Sequence, residues 1–357
     1  MTEATATIDL IALQHNFSQV KKLAPQSKIM AMIKSNAYGH GLIHIAKALK
    51  AADAFGVARL TSALHLREAG IQQPIVLMQG FLNAEQLPII SQHRFQIVVH
   101  HPEQVALLLQ LQLEKPLDIW LKVDTGMGRL GFTLAQAQQQ YRRLRDSNNI
   151  DTIRFMTHFA SVDELQHENN IKQFSRLVTA KANLPGEWSA AKSAAIIAFP
   201  DTHNEWVRPG IMLYGVSPII EANNLDINLK PVMTLTAPVV SLRTLAKGEA
   251  VGYGSTWVCP EEMPIAVVGI GYGDGYPRHA IAGTPVLLKG KYVPRIGRVC
   301  MDMIMVDLRE IDEKVRIGDR VTLWGQDIPA EMIAAHAETI AYELFCGVTR
   351  RVKFVYR

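Results

Sequence analysis

Cysteine is scarce: Cys259, Cys300 and Cys346 are the only three in 357 residues. They are odd in number and far apart, so they fit neither a disulfide framework nor a zinc site. The chain therefore reads as a cytosolic protein with reduced thiols, and no metal is expected. No apolar run is long enough to cross a bilayer. The opening Met1-Thr-Glu-Ala-Thr lacks a basic stretch followed by an apolar core, so no secretory leader is expected. The formal net charge is only +4, with no block of lysine and arginine. Neither nucleic acid nor a membrane is an expected partner. There is no repeat of solenoid period and no low-complexity segment. Walker A, H-E-x-x-H and G-x-S-x-G motifs are missing too. Gly269-Ile-Gly-Tyr-Gly-Asp-Gly-Tyr-Pro-Arg278 has the spacing G-x-G-x-G and no helix signal after it, so it is not a dinucleotide fingerprint.

What is present is the composition of a well-cored globular protein, 48% hydrophobic and 20% charged. The length suits two domains, or one large barrel with an appendage. A short strand over Ala4–Leu10 precedes a helix that Asp9 is placed to cap. Apolar strands are then expected at Lys28–Ile33, Ala54–Ala58, Ile75–Met78, Ile97–Val99, Asp118–Val123, Ile153–Met156, Glu187–Ala190 and Trp206–Arg208. Helical stretches at Leu42–Ala51, Leu60–Ala69, Pro102–Leu113, Thr133–Asp146 and Glu164–Ala182 fall between them. The glutamines at Gln136–Gln140 are expected on an exposed helix face. Strands alternating with helices imply a parallel sheet with right-handed crossovers. About eight such units suit a closed (β/α)8 barrel of the TIM type over residues 1–229. A doubly wound open sheet is the alternative, and usually has fewer strands. From Pro231 the pattern changes to alternating strands punctuated by glycine and proline, the mark of a mostly β domain over 230–357. One late helical region, Ala330–Cys346, precedes a last strand at Val352–Tyr356.

In a barrel, chemistry sits at the C-terminal ends of the strands. Ile29-Met-Ala-Met-Ile33 runs straight into Lys34-Ser-Asn-Ala-Tyr38-Gly-His-Gly41. A lysine held at a strand end in a partly desolvated pocket has a lowered pKa, and its neutral amine forms an imine with a carbonyl. Lys122-Val-Asp-Thr-Gly-Met-Gly-Arg129 follows the fifth strand, Thr157-His158 the sixth, Ser193 the seventh and Arg208-Pro-Gly210-Ile211 the eighth. Each has an ordinary structural reading. Lys34 snorkels, Lys122 and Asp124 form a surface ion pair, and His158 is a satisfied core histidine. Placed together, Lys34, Lys122, Arg129, His158 and Arg208 make a cationic mouth that calls for an anionic ligand. Tyr38, Ser193 and the backbone N–H groups after Pro209 are natural phosphate donors.

These stretches resemble the alanine racemases. The match includes the Lys34–Gly41 motif, Lys122 to Arg129, Arg208-Pro-Gly-Ile211, Val251-Gly-Tyr253-Gly and Cys300-Met301-Asp302, in the family's order from Thr7 to Arg351. The resemblance implies a barrel followed by a β domain, with pyridoxal phosphate bound covalently to Lys34. It assigns a second catalytic base to Tyr253, contact with the cofactor's ring nitrogen to Arg208, and support of that arginine to His158. Phosphate contacts map to Tyr38, Ser193, Gly210 and Ile211. Arg129 and the amide of Met301 map to substrate binding. Lys122, often carbamylated in the family, and Asp302 map to supporting positions. The gate maps to Asp163, Tyr272, Arg278 and Arg298. The family also pairs two chains so that each site is shared. Alanine is the implied substrate, serving peptidoglycan synthesis or alanine catabolism. Lys192 replaces a common asparagine, and Arg350 stands where some members have a phosphate-contacting tyrosine.

Racemisation needs a proton removed from one face of Cα and returned on the other, which two bases on opposite sides accomplish. A racemase of broader amino-acid range, a cofactor carrier without catalysis and a barrel decarboxylase are the competing readings. A carrier needs neither Tyr253 nor Met301, and the lysine motif fits a decarboxylase poorly.

Overall fold

The structure, a computed structural model, describes residues 3–219 and 227–357. Eight parallel strands close into a barrel: β2 (Lys28–Met32), β3 (Ala54–Val57), β4 (Ile75–Leu77), β5 (Gln96–Val99), β6 (Leu117–Lys122), β7 (Ile150–Met156), β8 (Trp188–Lys192) and β9 (Trp206–Arg208). Their near-continuous apolar runs suit strands covered on both faces. Closure comes from β9 pairing with β2, with Lys28 opposite Trp206 and Ile29 opposite Val207. The Met32 N–H donates to the Pro209 carbonyl beyond them at 2.9 Å. The expected strands all form. The open-sheet alternative is excluded by that closure.

The end of the barrel where the strands begin is tied by charge. Arg154 bonds Glu187 at 2.8 Å and Asp118 at 3.1 Å, and Lys28 joins Glu187 at 2.8 Å. Polar groups at this end of a barrel serve stability and leave the other end for chemistry.

Strand β1 (Thr5–Ile8) belongs elsewhere. It pairs antiparallel with β10 (Met233–Leu245) and parallel with β16 (Lys353–Tyr356), so the first and last strands of the chain lie side by side. Their sheet runs on through β11 (Met263–Val268), β12 (Pro285–Leu288), β13 (Lys291–Ile296), β14 (Ile304–Asp307) and β15 (Arg320–Trp324), in the order β11-β14-β13-β12-β15-β10-β1-β16. Asp9 caps the helix Leu10–Leu23 as expected, its Oδ1 accepting the N–H groups of Ile11 and Ala12.

Several elements differ from the sequence reading. Strand β13 contains Pro294, which weakens any strand signal. The helix Gln86–Gln92 is short and carries Pro88 in its first turn, so its periodicity is weak. The late helical region is two helices, Ala330–His336 and Ala341–Gly347, separated where Glu338 takes a φ of 48°. The glutamine run is not idle surface. Gln136 completes a capping box with Thr133, and Gln140 is buried, accepting from Arg143 at 2.8 Å.

The helix Ala341–Gly347 lies directly on the chain that leaves β2. Gly39 has a φ of +80°, and a Cβ there would stand 2.0 Å from the Phe345 carbonyl oxygen. Gly41, at φ +96°, has the Tyr356 hydroxyl in the same relation at 2.1 Å. Gly39→Ala is therefore expected to destabilise the fold by about 3 kcal/mol or more, combining a left-handed backbone with a clash against backbone. Gly70→Ala, at φ +83° with nothing within 4 Å, should lose only about 1 kcal/mol. Thermal denaturation of the two variants checks the difference; equal losses would mean that the helix does not press on Gly39.

Candidate active site

At Lys34 the backbone enters a left-handed turn, Lys34–Tyr38. Ser35, Asn36, Ala37 and Tyr38 take φ values of 52°, 55°, 55° and 51°. Each such residue costs about 1–2 kcal/mol. Side chains hold the turn in place. Asn36 Oδ1 accepts the Leu42 N–H at 2.9 Å, and its carbonyl accepts the Gly41 N–H at 3.0 Å. His40 is fully buried, and burial pulls its pKa down to about 4, so it is neutral. Its Nδ1 lies 2.8 Å from the Tyr38 carbonyl and donates to it. The His40 ring packs on Tyr214 and edge-on against Phe345.

The turn points Lys34 into the open barrel mouth and folds Tyr38 inward. Tyr38 stacks on Tyr214 with centroids 4.8 Å apart, and the Tyr214 hydroxyl donates to the Met32 carbonyl at 3.0 Å. A Cβ on Gly210 would meet the Tyr38 hydroxyl at 2.5 Å, so the first and last barrel strands approach closely here. Ser193 Oγ completes the corner by accepting the Gly210 N–H at 2.8 Å and the Met212 N–H at 3.4 Å. Tyr38, Ser193, Gly210 and Ile211 thus lie together, buried, in one corner that brings two hydroxyls and backbone N–H groups side by side.

Arg208 is buried and held along one edge. Nη1 donates to Ser189 Oγ at 2.6 Å; Nη2 donates to the Thr157 carbonyl at 2.6 Å and to the Ala190 carbonyl at 3.2 Å, and lies 3.3 Å from His158 Nδ1. His158 is kept neutral, first by burial and then by the Arg208 charge, so its Nδ1 accepts. Burial lowers Arg208 to about 10, which leaves it charged at neutral pH. Among the described residues its Nε–H has no hydrogen-bond partner.

Lys122 is not in a surface ion pair. It is buried, and its neighbour Asp124 spends its carboxylate on the backbone N–H groups of Gly126, Met127 and Gly128. Burial, then Arg208 and Arg129, bring the Lys122 amine down to about 7. Desolvation, followed by Arg129 and Arg208, lowers the Lys34 amine as well. Arg129 itself is exposed at the rim. Four cations therefore meet at this mouth, and none of them forms a salt bridge with a carboxylate among the described residues. Such a field holds an anion and favours neutral amines.

Of the remaining expected residues, Asp163 lies on the barrel, half-buried and paired with Lys192; the others lie on the second domain and face outward. Tyr253, in the turn Tyr253–Ser255, is 68% exposed, and Met301 is 52% exposed. Tyr272, Arg278, Arg298, Asp302 and Arg350 are exposed as well, and Asp302 pairs with Arg351. The part of this domain that packs on the lysine turn is the helix Ala341–Gly347, not the Tyr253 turn. A single chain thus brings Lys34, Tyr38, Lys122, Arg129, His158, Ser193, Arg208, Gly210 and Ile211 together and leaves Tyr253 and Met301 in solvent. Arg295, only 1% exposed, braces the two loops that carry the outward residues, donating to the Ala280 carbonyl at 2.6 Å and the Gly297 carbonyl at 2.7 Å.

Two site residues, Ser189 and Gln173, escape a sequence reading, as does the role of Thr157. Ser189 and Thr157 fix Arg208. Gln173, fully buried on the helix Asn169–Asn183, joins Thr125 Oγ1 at 3.3 Å and the His158 carbonyl at 3.2 Å, while its Oε1 accepts the Ala160 N–H at 2.8 Å. The only sequence signal was a polar side chain on the inward stripe of an amphipathic helix. Among the described residues, no group of three or more His, Cys, Asp or Glu is placed to hold a metal ion, and no helix is long and apolar enough to cross a membrane.

Residues 8–218 match the alanine racemase N-terminal domain, and residues 232–356 match the alanine racemase C-terminal domain. An alanine racemase of Coxiella burnetii is 49% identical over 361 residues, covering 99% of each chain. The crystal structure of the biosynthetic alanine racemase of Pseudomonas aeruginosa superposes with a TM-score of 0.97 at 40% identity, covering all of both chains. That of Bartonella henselae, described with covalently bound pyridoxal phosphate, superposes at 0.90 with 29% identity over all of both chains. The two domain matches, in order and over most of the length, with barrel and β domain superposing as a unit on solved members, establish that this chain belongs to the alanine racemase family.

Proposed function

We propose that this chain interconverts L- and D-alanine by a two-base mechanism with pyridoxal phosphate held covalently on Lys34. The observation that carries the reading is the left-handed turn, which bears a lysine of lowered pKa near Arg129 and Arg208 at one end and Tyr38, packed against Gly210, at the other. The residues suit the cofactor. A phosphate would take the Tyr38 and Ser193 hydroxyls and the backbone N–H groups around Gly210 and Ile211, displacing Ser193 Oγ as the acceptor of the Gly210 N–H. The unpartnered Nε–H of Arg208 is a donor for a ring nitrogen. When bound, pyridoxal phosphate supplies an electron sink for the charge left at Cα once its proton is removed.

The chain's own groups supply the rest. The Lys34 amine, more often neutral than an exposed lysine, takes or returns the Cα proton on one face. The Tyr253 hydroxyl serves the opposite face. Arg208 is charged and immobilised by Ser189, Thr157 and Ala190; it would hold the cofactor's ring nitrogen, and a permanent cation there would disfavour a proton on that nitrogen and so limit side reactions. Arg129 and the Met301 amide receive the substrate carboxylate, with Asp302 beside Met301 anchored by Arg351. The product serves peptidoglycan synthesis or alanine catabolism, and the setting is cytoplasmic.

Because Tyr253 and Met301 stand outward in one chain, the reading requires a second. We place two chains in a twofold dimer in which each β domain covers the other's barrel mouth. The exposed Tyr253, Tyr272, Met301 and Met303 then become the roof of the partner's site.

Lys34→Ala should lose the visible absorption of the bound cofactor and lower alanine racemisation by at least about a hundredfold. Absorption spectra and chiral analysis of the product check this, and a variant that keeps both would remove Lys34 from the role. The shared site is checked by mixing Lys34→Ala with Tyr253→Phe protein. Random subunit exchange makes about a quarter of all sites wild type if sites are shared, and none if each chain builds its own. Activity should climb toward that fraction; no recovery after proven exchange would sink the dimer.

Lys122 yields a third expectation. At a pKa of about 7 its amine is largely neutral in mildly alkaline buffer. A neutral amine adds to carbon dioxide, forming an N–C bond and releasing one proton to water. The resulting carbamate anion would lie among Arg129, Arg208 and Lys34. Carbon-13 bicarbonate should give a carbamate resonance in the wild type that is missing in Lys122→Met. The variant should also lose about tenfold in kcat/KM, the equivalent of about 1.4 kcal/mol. A wild-type spectrum without that resonance would leave Lys122 as an unmodified neutral amine.

A further inference from the structure

Lys192 departs from the family pattern, and the structure gives its side chain a definite partner. It is the last residue of β8, directly before Ser193, and pairs in register with Arg208 on β9. Its Nζ donates to Asp163 Oδ1 at 2.8 Å, with the two side chains 24% and 38% exposed. Asp163 lies in the segment between His158 and the helix Asn169–Asn183, at the chemical end of the barrel. It also stands near Tyr342, whose ring is 5.8 Å from that of Tyr38. The pair therefore sits at the rim of the mouth that holds Lys34, Lys122, Arg129 and Arg208.

The charges there are unevenly used. Asp124 is committed to three backbone N–H groups and, among the described residues, forms no salt bridge. Within one chain, and among the described residues, Asp163 has one ion-pair partner, Lys192. A bare carboxylate at this rim repels the carboxylate of an entering amino acid and draws its ammonium, holding the zwitterion the wrong way round for the cations within, because fields in a partly desolvated cleft are weakly screened.

We propose that Lys192 is a positioning residue that neutralises Asp163 and so keeps the approach to Lys34 open to a carboxylate. The inference rests on the reading above that alanine enters at this mouth. Lys192 does not touch the reacting atoms; it acts through Asp163.

Four proteins test it: wild type, Lys192→Asn, Asp163→Asn and the double variant, with Lys192→Arg as the conservative control. Two readouts are taken at low and high ionic strength. One is KM and kcat for alanine. The other is the Kd of propionate, a carboxylate that lacks the amine, by calorimetry. Lys192→Asn should raise both KM and the propionate Kd about fivefold at low salt, leaving kcat within about twofold. Asp163→Asn should shift both constants the other way, because Lys192 is then a free cation. In the double variant the harm done by Lys192→Asn should vanish, and high salt should erase it in the single variant. Lys192→Arg should match the wild type. A KM rise that persists in the Asp163→Asn background or at high salt, or no rise in Lys192→Asn, would overturn the proposal. If the wild type fails to racemise alanine yet the propionate pattern holds, the racemase reading fails and the ion-pair role stands.

Discussion

The site depends on one strained piece of backbone, the left-handed turn that follows β2. Four consecutive non-glycine residues at φ between 51° and 55° are disfavoured in an isolated chain. They persist because they are over-determined from outside. His40 and Asn36 fix the turn from within, and the helix Ala341–Gly347 closes on it from the second domain. Only glycine fits under that helix at position 39. Strain held in this way is what sets Lys34 and Tyr38 on a common side of the mouth, since an ordinary right-handed turn would aim them differently.

That contact also explains why the chain is built as it is. The helix pressing on the lysine turn belongs to the domain whose sheet incorporates the first strand of the protein, Thr5–Ile8, between β10 and β16. The barrel is thus threaded between two segments of its own neighbour. The second domain is anchored at both ends of the chain, so its distance from the mouth is fixed. A domain anchored so firmly can present Tyr253 and Met301 at a fixed position without packing them on its own barrel.

Electrostatics does the rest with very few anions. Burial, with the positive charges of Arg208 and Arg129, lowers the Lys34 and Lys122 amines, so the same field that would hold a phosphate and a carboxylate also keeps a larger share of those amines neutral. Neutral His158 fits this scheme, because a protonated imidazole 3.3 Å from Arg208 would be repelled. Asp163 is the exception on the rim, and its pairing with Lys192 keeps the sign of the mouth uniform.

The eight barrel strands were legible in the sequence because buried parallel strands are short apolar runs bounded by turn residues, and that pattern is local. So were Lys34, Arg129, His158, Ser193 and Arg208, since residues following strand ends converge in a barrel whatever the loops do. The helix Gln86–Gln92 and strand β13 were not, because Pro88 and Pro294 break their local signals. Nor could spacing reveal that Lys122 is buried while Asp124 turns to backbone amides, that Ser189, Thr157 and Gln173 hold the arginine and its histidine, or that β1 leaves the barrel for the other sheet. Each of these is a contact between segments distant in the chain, decided by which groups must find partners once water is excluded. The sequence by itself determined the order of elements and the chemical inventory of the mouth; the tertiary structure alone decided the left-handed turn, the ion pairs and which groups face solvent, because those follow from packing across the chain and not along it.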